Sequence, residues 1–218
     1  MTEDHKGRIL EAAERVYGHL GWRGATTKRI AEEAGVNEVT LFRHFGSKDA
    51  LLEQMMQGHV ARGQEIMLPP AAAHPEEELL HWMRSHYART VENRAMVRHL
   101  ISDAEERPEV AACVSSGPCM AAAGLRAYAD QLRQHGVLAS APALTPAELN
   151  AACAMLMGAM FADAMNRDMM HGMFPQPVDE SLRSYVRIFL RAIGAPLETP
   201  QSSPTTVERA PLLTPISA

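Results

Sequence analysis

Apolar residues return every three or four positions along most of this chain, with polar residues between them, the spacing of helices that each bury one stripe. Between residues 5 and 20, Ile9, Ala13, Val16 and Leu20 set such a stripe, and Leu10 and Tyr17 widen it. Gly21 supplies the stop, because a left-handed cap costs glycine little. Thr26 is a good N-cap for a short second helix that turns Ile30, Ala31 and Ala34 inward and ends at Gly35. Asn37 caps a third helix, which buries Leu41 and Phe45 four residues apart and breaks at Gly46. Ser47 caps a fourth running to about Leu68, with Asp49 in the first turn, where the helix dipole favours an acid.

From Pro75 onward the pattern predicts helices over about 76–92, 94–105, 108–135, 146–171 and 178–193. Valine, isoleucine and threonine never alternate long enough to suggest a strand, so the expected fold class is all-α. After Gly194 the chain carries Pro196, Pro200, Pro204, Pro211 and Pro215 among serines and threonines. That composition buries too little apolar surface to offset ordering entropy, and residues 196–218 are expected to form a disordered tail.

At 218 residues and 46% apolar composition the chain can bury a substantial core. Glycine, arginine, glutamate or histidine interrupts every long apolar stretch before it reaches membrane-spanning length, so a cytoplasmic protein with no membrane partner is expected. Cys113, Cys119 and Cys153 are an odd count without CxxC spacing, which argues against a disulfide framework and against a zinc ribbon.

A net charge of -5 gives no global attraction to nucleic acid, so any polyanion site must be local. Residues 23–48 are such a locality: five lysines or arginines face three glutamates there, with His44 beside them. A helix, the turn "GVN" and a second helix, stacked on the first helix of the chain, form a helix-turn-helix arrangement whose second helix can enter a major groove. Its apolar positions Ile30, Ala34, Val36, Leu41 and Phe45 would hold the unit together. Lys28, Glu38, Val39, Thr40, Phe42, Arg43 and His44 would then face outward, available to DNA. Helix N-termini near Thr26 and Ser47 offer unpaired N–H groups to phosphate, and Thr27, Thr40 and Lys48 add two hydroxyls and an ammonium. A helical bundle with a few surface cations would share much of this pattern without binding DNA.

The stretch "GATTKRIAEEAGVNEVTLFRHFGSKDALL", residues 24–52, closely resembles the DNA-binding signature of the tetracycline-repressor (TetR) family of transcriptional regulators. The resemblance implies that Thr27, Thr40, His44 and Lys48 hold phosphates while Lys28, Glu38, Val39 and Arg43 approach base edges. Phe42 departs from the tyrosine more common in the family; it keeps only an apolar contact, suited to a thymine methyl. Glu38 either accepts from a cytosine amino group or caps its own helix.

The resemblance also implies the domain organisation. Residues 1–50 form a three-helix helix-turn-helix DNA-binding domain, residues 51–195 an α-helical ligand-binding and dimerisation domain, and residues 196–218 the Pro-rich tail. "VRHLISDAEERPEVA", residues 97–111, is similar to the junction of the sixth and seventh helices in one broad branch of the family. Residues 149–170 are apolar nearly all round, so that helix needs cover on more than one side. The expected dimer seam is a four-helix arrangement using Leu149, Ala152, Leu156, Gly158 and Ala159 with Leu182, Tyr185, Val186, Phe189 and Ile193.

A small apolar or aromatic effector is the expected ligand of the second domain, lined by Met83, Tyr87, Met96, Leu100, Tyr128, Met155 and Phe161, since methionine adapts to irregular apolar ligands. The expected protein is thus a homodimeric regulator, a repressor released from a palindromic double-stranded operator by its effector. Catalysis, a cofactor and a metal are not expected; His171 among Met169, Met170 and Met173 suits soft copper, but lies at a helix end without a second cluster. The alternative reading is a thiol-based redox sensor or thiol-dependent enzyme using Cys113 or Cys119.

Overall fold

The computed structural model describes residues 3–63, 66–70, 73–138, 144–195 and 197. Among them the secondary structure is helical throughout: α1 (Glu3–Gly24), α2 (Thr27–Ala34), α3 (Glu38–Phe45), α4 (Lys48–Gly63), α5 (Pro75–Glu92), α6 (Arg94–Ala104), α7 (Pro108–Gln134), α8 (Pro146–Asn166) and α9 (Val178–Ile193). The caps are those the residue types favour. Thr26 Oγ1 accepts from Arg29 N and Asn37 accepts from Val39 N, while Thr145 and Glu148 form a reciprocal capping box at the start of α8.

Three helix ends differ from the sequence expectation. Gly21 does turn the chain, at φ 63°, but one further helical turn carries α1 on to Gly24. A Cβ at Gly21 would also stand 2.8 Å from His99 Nδ1, so glycine is required there by backbone and neighbour alike. The fourth helix stops at Gly63 rather than near Leu68. α8 stops at Asn166 instead of running to residue 171, because Arg167 donates to the carbonyls of Phe174 and Gln176 and draws the following residues into turns. The Pro-rich tail, apart from Leu197, lies outside the described residues.

Two apolar cores form. The first takes Ile9, Ala13 and Tyr17 of α1, Ile30 and Ala34 of α2, Leu41 of α3, and Leu51, Leu52, Met55 and Met56 of α4. Met96 and Leu100 of α6 and Val110 of α7 complete it. The second gathers Leu79, Met83 and Tyr87 of α5, Leu125, Tyr128 and Leu132 of α7, Leu156 and Met160 of α8, and Leu182, Val186, Phe189 and Leu190 of α9. The 27-residue α7 contributes its first turn to one core and its second half to the other.

Polar contacts fasten the helices around each core. Asp103 of α6 accepts from Tyr17 Oη at 2.6 Å and from the backbone N of Trp22 at 3.2 Å, fastening the end of α1. Within the second core, Asp163 is fully buried on α8 and is held by Arg167 Nε and Nη2, both at 2.6 Å, by Tyr185 Oη at 2.9 Å and by Tyr87 Oη at 3.3 Å. This carboxylate therefore joins α5, α8 and α9 at one point. A buried charge is tolerated only when it is paired and hydrogen-bonded in this way.

A third polar cluster joins α1 to α4. Glu14 accepts from Arg62 Nη2 at 2.6 and 2.7 Å and lies 2.9 Å from His59 Nδ1. The His59 hydrogen bond, helped by Arg62, holds the Glu14 carboxyl below the usual carboxylate range. A carboxyl lowered by folding adds stability that is complete above its unfolded pKa of about 4.3 and is lost as pH falls through the folded value. Glu14→Gln is therefore expected to lower the melting temperature by a few degrees at pH 7, and by progressively less below about pH 5, as thermal melts of both proteins across pH would read. A gap that stays constant to pH 3 would contradict the assignment.

Candidate nucleic-acid interface

α2 and α3 are joined by a turn that only glycine makes without strain: Gly35 sits at φ 64° and its N–H, with that of Val36, closes on the last carbonyls of α2. Ile30, Ala31, Ala34 and Leu41 fasten the two helices to α1 and α4. That packing leaves one side of α3 open, where Val39, Phe42 and Arg43 are exposed, with Lys28 and Thr26 exposed at the start of α2.

The remaining candidates are half-buried, and their side chains make contacts that no sequence pattern reveals. The Thr27 hydroxyl donates to a Glu38 carboxylate oxygen, linking the beginnings of α2 and α3. Its single proton is thereby engaged within the protein. Asn37, not Glu38, supplies the side-chain cap of α3. Lys48 Nζ donates to the Trp22 carbonyl and lies 5.8 Å from the Trp22 ring centre; burial holds its ammonium below the ordinary lysine range. His44 Nε2 is buried without a hydrogen-bond partner, its ring 6.2 Å from that of Phe45. Thr40 is half-buried beside it.

Sequence reasoning missed two contributors. Trp22 holds Lys48 by its carbonyl and carries the Arg107 guanidinium 4.1 Å from its ring centre. Arg29 is an exposed cation at the start of α2, braced on the carbonyl of Gly24. A tryptophan one residue past a helix-breaking glycine was the available signal for the first. Among the acids nearby, Glu33 is paired with Arg15 at 2.8 Å, which reduces its opposition to a polyanion.

The effector candidates do not converge on one place. Met83, Tyr87 and Tyr128 lie in the second core, Met96 and Leu100 lie in the first, and Met155 and Phe161 are exposed on α8. Of the seam candidates, Leu156, Leu182, Val186, Phe189 and Ile193 are buried in this chain's own core. Leu149, Ala152, Ala159 and Tyr185 are half-buried and Gly158 is exposed. Mostly apolar surface is left open between α8 and α9 in a groove of about 250 Å³ lined by Leu144, Glu148, Ala151, Ala152, Met155, Ile188 and Ala192. The stripe of Leu182, Val186, Phe189 and Ile193 packs into this chain's own core, while Ile188 and Ala192 leave apolar surface of α9 open on the groove.

Burial pushes the Cys113 and Cys153 thiols up, away from the thiolate form that makes a cysteine reactive. Among the described residues no group of three or more histidines, cysteines or acids is placed to hold a metal, and no helix is long and apolar enough to cross a membrane.

Fold and site together define a helix-turn-helix protein with a larger helical body. Residues 9–55 match the family model described as bacterial regulatory proteins, tetR family. An uncharacterized HTH-type transcriptional regulator of Bacillus subtilis, YvkB, is 42% identical over 60 residues, covering 28% of this chain and 32% of that protein. The HTH-type transcriptional repressor KstR2 of Mycobacterium tuberculosis is 31% identical over 83 residues, covering 36% of this chain and 40% of that one. The chain thus spans 32% and 40% of the length of these two curated relatives. The likeness in fold extends further: a structure assigned to the TetR family from Mesorhizobium loti superposes with a TM-score of 0.71 at 19% identity, over 89% of this chain and 99% of that one. Salmonella enterica GusR superposes with a TM-score of 0.68 at 17% identity, over 87% and 95%. The likeness in sequence to that family lies in the N-terminal domain, residues 9–55, and the likeness in fold extends beyond it.

Proposed function

We propose that this chain is a sequence-specific DNA-binding transcriptional regulator, a homodimeric repressor that leaves a palindromic operator when a small apolar or aromatic molecule enters its helical body. The observation that carries the reading is α3: a helix fixed by its buried side to α1, α2 and α4, with Val39, Phe42 and Arg43 standing free and Lys28 and Arg29 beside them. The N-terminal residues of such a helix read base edges, and the flanking cations meet phosphates.

The open apolar groove between α8 and α9 supports pairing of two chains, which would set two copies of α3 about 34 to 36 Å apart, one turn of duplex. Residues 1–50 then act as the reading unit and residues 51–195 as the pairing and ligand-holding unit. Met83, Tyr87 and Tyr128 bring adaptable apolar surface to the second core, where an effector would lodge against α5, α7 and α8.

The test is selection of bound duplexes from a random pool, followed by titration of the enriched sequence across salt, with sedimentation of the free protein. A palindromic duplex, a dimer and an affinity that falls steeply as salt rises are expected. Failure of any duplex to enrich would overturn the reading.

A further inference from the structure

The segment that follows α8 holds soft metal donors close together: Met169, Met170, His171 and Met173. Methionine side chains are ordinarily buried, yet these three are 64%, 49% and 65% exposed, and His171 among them is exposed too. A helix continued to residue 171 would fan the first three donors over about 200°. α8 stops at Asn166 instead, and two successive turns follow. The Asn166 carbonyl accepts from the N–H groups of Met169 and Met170 at 2.9 and 2.8 Å, and the Met170 carbonyl accepts from Met173 N at 2.9 Å. Such a turn brings the Cα atoms of Met170 and Met173 within about 7 Å of each other, with His171 at its corner. Two thioether side chains, flexible along their length, span that separation with one ion between them.

The turns are pinned at both ends. Asp168 pairs with Arg94 of α6, and Arg167, itself held by the buried Asp163, donates to the carbonyl of the buried Phe174 at 3.2 Å. The donors thus stand on a fixed support, and little further ordering is needed to bring them onto an ion. Thioether and imidazole together suit soft copper(I), whereas zinc, magnesium and calcium call for clusters of thiolate, imidazole or oxygen ligands that the described residues lack. A monovalent ion is satisfied by a few such donors, so one loop suffices. Its single charge is little opposed by Arg94, which Asp168 balances. We propose that Met169, Met170, His171 and Met173 form a copper(I) site on the loop between α8 and α9. The site is independent of the DNA-binding reading and stands on metal binding alone.

Silver(I) shares the preference of copper(I) for soft donors and keeps its oxidation state in air, so the silver ion alone is the probe. The full chain, carrying Cys113→Ser and Cys119→Ser to remove its more accessible thiols and labelled at its methionine methyl groups, is titrated with silver and followed by NMR. Of the 14 methionine resonances, three are expected to move together and to saturate at one ion per chain. Loss of one moving resonance in each of Met169→Leu, Met170→Leu and Met173→Leu identifies them. Zinc is expected to leave the same resonances unmoved. Leucine keeps the bulk of methionine without its sulfur, so replacing all three should lower silver affinity by at least about 100-fold. His171→Gln should lower it by about tenfold. All four side chains are exposed, so melting temperatures should match that of the parent. A triple variant that binds silver as tightly as its parent, silver shifts confined to other methionines, or an equal response to zinc would overturn the proposal.

Discussion

Arg43→Ala should lower affinity for the selected operator by about 5- to 150-fold and relax the preference at a single base position in each half-site. The guanidinium is exposed on α3, makes no hydrogen bond or ion pair with the described residues, and can present two parallel donors to the O6 and N7 of guanine. A bidentate pair of that kind discriminates by about 1–3 kcal/mol, which sets the range. Affinity for random DNA should fall far less, because only the charge is lost there. Competition titrations against a panel of single-base operator variants check both halves of the expectation. An equal loss on specific and random duplexes would reduce Arg43 to a phosphate contact.

The largest effect on stability is expected at Asp163. Replacing it with alanine leaves Arg167, whose side chain is only 15% exposed, without its carboxylate partner, and leaves Tyr185 Oη and Tyr87 Oη without an acceptor. Removing one member of a buried ion pair costs about 3–5 kcal/mol, or about 6 to 20 °C in melting temperature for a chain of this size. Asp163→Ala combined with Arg167→Met should be milder than Asp163→Ala alone, since no charge is then left buried. Calorimetric melts of the two variants decide the point; a double variant less stable than the single one would mean that Arg167 contributes chiefly through the carbonyls of Phe174 and Gln176.

Most helix boundaries were legible because they are written in local chemistry. Thr26, Asn37 and Thr145 begin helices and Gly35 ends one, each through hydrogen bonds within a few residues. The end of α8 was not legible, since Met169, Met170 and Met173 continue an apolar helical pattern while the force that stops the helix comes from Arg167 reaching carbonyls seven and nine residues on. The same limit applies at the candidate interface. Helical spacing tells which side of α3 is free, and Val39, Phe42 and Arg43 do stand there.

Spacing does not tell where a side chain of the half-buried rim will find its partner. Lys48 meets a carbonyl 26 residues earlier and Thr27 a carboxylate 11 residues later. Asp163 carries a signal that the sequence does show. It is an acid within a helix otherwise apolar nearly all round, with an arginine four residues on, and burial at such a position requires an internal ion pair.

The floor beneath the helix-turn-helix is finished from far along the chain. Met96 and Leu100 of α6 and Val110 of α7 close a core whose other members end at Met56, and Asp103 ties down the last turn of α1. Cutting the chain after α4 would lay that floor open to water. The reading unit is therefore no cassette to be grafted by itself onto another protein: a fusion that borrowed its DNA preference would have to carry α6 and the first turn of α7 along with it.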